Sequence, residues 1–202
     1  MISTKSAREL ELMREAGRIV ALAHQAIKEA IKPGVTTKQL DKIAYDVITS
    51  NGARPSFKGY NGFPASICAS INDVLVHGIP DNTKLKDGDI ISIDIGACYK
   101  GYHGDSAWSY IVGDANPRDV KLLERTELAL MAGLNARHDG CTTGDIGHAV
   151  SKVAKKYNLG VVKELIKNKV RFDNDRNEIL PITHLTQVER IVFSAVCKFF
   201  DE

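Results

Sequence analysis

The sequence predicts an α+β fold built as two similar halves, the second of them incomplete. Three observations predict it: a Gly-x-Thr-Thr segment that recurs together with its helical stripe, a run of strand and turn signals between the two occurrences, and helix-start signals ahead of each long apolar periodicity. Gly34-Val-Thr-Thr37 is followed by Leu40, Ala44 and Val47, and Gly140-Cys-Thr-Thr143 by Ile146, Val150 and Val153. Counterparts lie 106 residues apart, as at 34 and 140, 36 and 142, 40 and 146, and 47 and 153. Two unrelated capped helices can share a stripe, but the repeated Gly-x-Thr-Thr favours internal duplication.

Each element has its own signal. Ser6-Ala-Arg-Glu9 fits a capping box, in which a side chain at each end satisfies a backbone N–H at the other. Leu10, Met13, Ala16, Val20, Ala23, Ile27 and Ile31 then follow at helical spacing, and Pro33-Gly34 stops the helix. Thr36 to Gln39 is a second capping box, with Leu40, Ile43, Ala44, Val47 and Ile48 as its stripe and Asn51-Gly52 as its end. Residues 56–112 read as strands and turns. Pro117 to Ala136 is a long helix, and Thr142 opens another.

Composition excludes several classes. With 27 basic and 25 acidic side chains the net charge is only +2, too little to draw the chain to nucleic acid or an anionic membrane. The longest early apolar run, Ile19 to Ala23, is far too short to span a bilayer, and the polar N-terminus is no signal peptide. Cys68, Cys98, Cys141 and Cys197 are widely spaced with no Cys-x-x-Cys, which argues for reduced thiols in a cytoplasm rather than a zinc ribbon.

The chemistry is densest around Asp94 and Asp105. Ile90 to Gly96 alternates apolar and polar residues, Ala97 to Gly101 carries a turn signal, and Tyr102 to Ala107 returns. A turn centred on Tyr99-Lys100 would pair residues whose numbers sum to 199, setting Asp94 directly opposite Asp105. Two like charges that close need compensation. A divalent cation supplies it, or two cations about 3.5–4 Å apart bridged by the carboxylates. A shared proton, or a register slip putting the two on opposite faces, are the alternatives.

The tail reads differently. Lys163 to Arg171 is basic and Asp173 to Glu178 is a polar loop. Thr186 to Glu189 is another capping box, with Val188, Ile191, Val192, Ala195, Val196, Phe199 and Phe200 on one helix face. That face either packs on its own domain or docks a partner, a second copy forming a homodimer among them. Residues 1–165 are read as one domain, with repeat halves at about 1–113 and 114–165, and residues 166–202 as a divergent tail.

The segment Phe57 to Pro80, with Tyr60, Phe63, Cys68, Asn72 and His77, closely resembles the substrate side of type I methionine aminopeptidases. Leu85 to Gly96 and Gly101 to Ala107 resemble that family's two aspartate motifs, and Glu9 to Gly17 its first helix. The likeness runs from about Lys5 to about Glu164. It implies a pita-bread fold: two pseudo-symmetric halves around two divalent metals, with Co, Mn, Fe and Zn not distinguished. It implies removal of an N-terminal methionine from peptides or nascent chains by a metal-activated water, in the cytoplasm. It implies Asp94 and Asp105 as metal ligands, and His77 as the catalytic histidine that contacts the scissile amide. Tyr60, Phe63 and Cys68 would line the methionine pocket, where aromatic walls and a soft sulfur suit a thioether.

The family's five-ligand set also includes a histidine in Gly-His-Gly and two glutamates. The place of the histidine reads Leu165-Ile-Lys-Asn-Lys169 here, and of the ligand types downstream only Glu178, His184 and Glu189 have any spacing to recommend them as substitutes. Impaired activity is therefore expected. The alternative is a non-catalytic pita-bread module that binds peptide N-termini, or a partner protein through its last helix.

Overall fold

The structure is a computed structural model that describes residues 5–161. The elements run α1 (Ala7–Ala30), α2 (Thr37–Ser50), β1 (Arg54–Pro55), a 3-10 turn (Tyr60–Gly62), β2 (Ile67–Ile71), β3 (Ile90–Tyr99), β4 (Tyr102–Ile111), α3 (Pro117–Asn135) and α4 (Thr143–Lys156). The chain divides into two compact units between Ala115 and Asn116. The tail helix expected at 188–200, the substitutes Glu178, His184 and Glu189, and Cys197 lie outside the described residues.

The first unit is a four-stranded antiparallel sheet with helices on one face. β3 is central. β4 covers one edge along its whole length, while β2 and the short β1 share the other edge end to end. Alternation along β3 sends Ile91, Ile93, Ile95 and Ala97 to one face. There they meet Ile19, Val20, Ala23 and Ile27 of α1 and Leu40, Ala44 and Ile48 of α2 in one buried core. Both helices start as expected, with complete capping boxes at Ser6/Glu9 and Thr36/Gln39. α1 lies close on β4: a Cβ on Gly104 would come within 2.5 Å of the Gly17 nitrogen. Helix backbone and strand backbone therefore touch with no side chain between them.

His24 fastens the same pair of elements. Its Nε2 donates to the Ser106 carbonyl at 3.0 Å and its Nδ1 lies 3.0 Å from the Tyr110 hydroxyl. A carbonyl can only accept, so the neutral ring carries its proton on Nε2, and the single Tyr110 hydroxyl proton is shared between Nδ1 and the His24 carbonyl at 3.3 Å. Burial pushes the Tyr110 phenol up to about 12, so it remains a donor. Burial also lowers the His24 pKa, against a smaller opposing effect of the Ser106 carbonyl.

The second unit, by itself, contains α3 packed on α4. Gly133 permits the approach, since a Cβ there would stand 3.0 Å from Val150 Cγ2. α2 and α4 are both 14 residues long, and both their first and last residues are separated by 106 positions. Their N-caps, Thr36 and Thr142, each form a capping box with the residue three further on. Buried Ala44 and Ile48 of α2 correspond at that offset to buried Val150 and Ala154 of α4.

Candidate active site

With the odd-numbered residues of β3 committed to the helices, the even-numbered ones define the other face. That face carries Ser92, Asp94, Gly96 and Cys98 of β3, Cys68 and Ser70 of β2, and His103, Asp105, Ala107 and Ser109 of β4.

The hairpin register differs from the expectation. Tyr99 pairs with Tyr102, so partners sum to 201, Asp94 faces Ala107, and Asp105 faces Gly96. The turn sits one residue later than expected because Lys100 and Gly101 both adopt positive φ, 49° and 91°. Two such residues make the two-residue hairpin turn whose twist matches that of the strands. Moving a partner by two positions leaves it on the same face, whereas moving it by one would not. Asp94 and Asp105 are therefore diagonal neighbours on one face, about 7–8 Å apart at Cα by usual sheet geometry. Asp94 is only 5% exposed, while Asp105 is exposed.

Cys68 stands directly across from Asp94 and is itself buried. The start of its strand is held from α2, where Asp41 Oδ1 accepts the N–H groups of Ser66 at 2.7 Å and Ile67 at 3.0 Å. His77 lies on the loop beyond β2 with a left-handed φ of 58°. The next residue docks that loop on β2: Ala69 N–H donates to the Gly78 carbonyl at 2.8 Å, and Gly78 N–H donates to Ser70 Oγ at 3.1 Å. A Cβ at Gly78 would meet the Ala69 oxygen at 2.2 Å, so only glycine allows this approach. His77 is thus held beside the strand that borders Asp94, with its side chain exposed.

Tyr60 and Phe63 belong to a loop seated on the same face. Ser56 N–H donates to the Gly96 carbonyl at 2.9 Å, and Phe57 lies over Gly96, where a Cβ would come within 2.7 Å of the ring. Beyond that anchor the loop closes on itself: Tyr60 N–H donates to the Phe57 carbonyl, Gly59 N–H to the Phe63 carbonyl, and Phe63 N–H to the Tyr60 carbonyl. Tyr60 is exposed and Phe63 half-buried. Asp41, Ser56, Gly78, Gly96 and His103 escaped the reading of the sequence, although Gly96 interrupting an isoleucine-rich strand was a usable sign of close packing.

Two carboxylates on one face, one of them buried, offer the hard oxygen donors that suit a divalent ion such as Mn²⁺. They fit one side of such a site. Among the described residues no group of three or more His, Cys, Asp and Glu side chains stands close enough together to hold a metal ion.

The model of metallopeptidase family M24 matches residues 11–174. The chain belongs to that family. Its curated M24 relatives include methionine aminopeptidase 1 of Bacillus subtilis (strain 168), 52% identical over 181 residues that cover 90% of this chain and 73% of the relative. The methionine aminopeptidase of Clostridium perfringens (strain 13 / Type A) is 40% identical over 82% of this chain and 67% of its own length. Among solved structures, the Rickettsia prowazekii methionine aminopeptidase superposes with a TM-score of 0.77 at 39% identity. That match covers 78% of this chain and 64% of the Rickettsia one, so the chain spans less than two thirds of that M24 structure. The α+β pita-bread class expected from the sequence is the class of these M24 proteins. No described helix is long and apolar enough to cross a membrane.

Proposed function

We propose that this chain is built to remove the N-terminal methionine from peptides or nascent proteins in the cytoplasm. The observation that carries this is the gathering of Asp94, Asp105 and Cys68 on one sheet face, with the loops of His77 and of Tyr60 and Phe63 docked beside it. In this reading Asp94 and Asp105 hold the divalent ions. When bound, such ions lower the pKa of a coordinated water and polarise the scissile carbonyl. Phe63 and Tyr60 shield the methionine side chain from water, and Cys68 offers its thioether a polarisable neighbour. The His77 imidazole exchanges a proton with the amide nitrogen of the bond being cut, in the manner of a general acid–base group.

The test is release of methionine from a Met-Ala-Ser peptide by the purified protein with Co²⁺ or Mn²⁺ added, beside Asp94→Ala. Release that Asp94→Ala abolishes supports the reading. Metal-independent release, or release that Asp94→Ala leaves untouched, would sink it. Peptide binding with no release at any metal concentration would favour a binding module instead.

A further inference from the structure

We propose that Ser56 and His103 form a clasp across β3 that fixes the loop carrying Tyr60 and Phe63 in register with the strand carrying Asp105. The two side chains come from opposite sides of the central strand. Ser56 follows β1 on one edge of β3, and His103 lies in β4 on the other. The Ser56 hydroxyl nevertheless lies 2.8 Å from His103 Nδ1, and it donates there when the ring carries its proton on Nε2. The bond crosses the strand because Gly96 lies beneath it. A Cβ at Gly96 would stand 2.8 Å from Ser56 Cβ, so any larger residue would push the serine away. His103 is two residues before Asp105 on the same strand and face. The loop it holds begins at Ser56 and closes at Phe63.

A second tether pulls elsewhere: Lys58 Nζ sits 4.5 Å above the Tyr45 ring on α2. That contact holds the loop toward the helix that lies behind the sheet. The Ser56–His103 bond ties the loop across to β4. Ser56 and His103 are on this account positioning residues: they touch no reacting atom but set where the aromatic wall stands relative to Asp105. The inference rests on the methionine reading of that loop.

Amide hydrogen exchange with the Met-Ala-Ser peptide as binding probe separates the two ideas. Ser56→Ala and His103→Ala should speed exchange at Gly59, Tyr60 and Phe63 by about fivefold, the loss of one ordinary hydrogen bond. Ile91 and Ile93 in β3 should be unchanged. His103→Asn, whose side-chain amide can occupy the place of Nδ1, should restore the slower exchange. Affinity for the peptide, measured by calorimetry, should fall about fivefold with the first two variants and recover with the third. Unchanged loop exchange overturns the clasp. So does faster exchange spread equally into β3, a His103→Asn variant that does not recover, or peptide affinity indifferent to both alanine variants. If exchange behaves as expected while the unaltered chain does not bind the peptide, the methionine reading falls and the clasp stands.

Discussion

Gly96 shows how a single missing side chain can organise a site. Its flat surface receives Phe57 and lets the Ser56 hydroxyl pass over the strand. Ser56 Cβ is close to the backbone and cannot swing aside, so Gly96→Ala must displace the loop. We expect a loss of about 1–3 kcal/mol of stability, the usual cost of overpacking, read as a lower urea midpoint. A variant as stable as the parent would show that the loop yields freely. His24 makes a second prediction. Burial lowers its pKa in the folded chain, while in the unfolded chain it titrates near its ordinary value of about 6.5. Below that pH the unfolded chain takes up a proton that the folded one resists. The stabilising contribution is therefore present above about pH 6.5 and is lost as pH falls below it. Urea midpoints from about pH 7.5 to 5.5 should decline less steeply in His24→Gln than in the parent, one such group accounting for at most about 1.4 kcal/mol per pH unit. Equal declines would remove His24 as the cause.

Elements were legible in the sequence wherever the information was local. Both Thr-initiated helices begin at their capping boxes, and the end of α2 follows from the Asn51-Gly52 stop signal. The hairpin was half legible: the alternation gave the common face of Asp94 and Asp105, but the pairing depended on φ at Lys100 and Gly101, which no periodicity reports. The Asp41–Ser66 and Ser56–His103 bonds were illegible because their partners lie 25 and 47 residues apart and meet only once the sheet exists. Caps invite a paired test. Thr36→Ala and Thr142→Ala remove equivalent hydroxyls, each accepting the N–H three residues on, and each should cost about 1 kcal/mol. A Thr36→Ala variant with an unchanged urea midpoint would show that the loop before α2 needs no cap.

At the scale of the molecule, the core of the first unit serves the site by default. Packing α1 and α2 against the odd-numbered residues of β3 leaves the even-numbered ones for chemistry. The sequence disclosed that division and the family, because both are written in dense local motifs. It offered two candidate carboxylate ligands, Asp94 and Asp105, of the five that the family resemblance implies. Disturbing even outer-sphere support of a metal site typically costs about 10–100-fold in affinity or activity. We therefore expect these 202 residues, assayed alone, to turn over Met-Ala-Ser weakly. Turnover at ordinary enzyme rates that Asp94→Ala abolishes would show that other side chains complete the set. The place of Cys68, facing Asp94 across one strand pair, also makes the protein its own chemical gauge. Anything that fills the space over Asp94 should slow alkylation of that thiol. Peptide mass mapping tells Cys68 from Cys98, Cys141 and Cys197, so Mn²⁺ or peptide would leave a footprint on one sulfur whether or not any bond is ever cut. A Cys68 alkylation rate indifferent to both would mean that neither settles there.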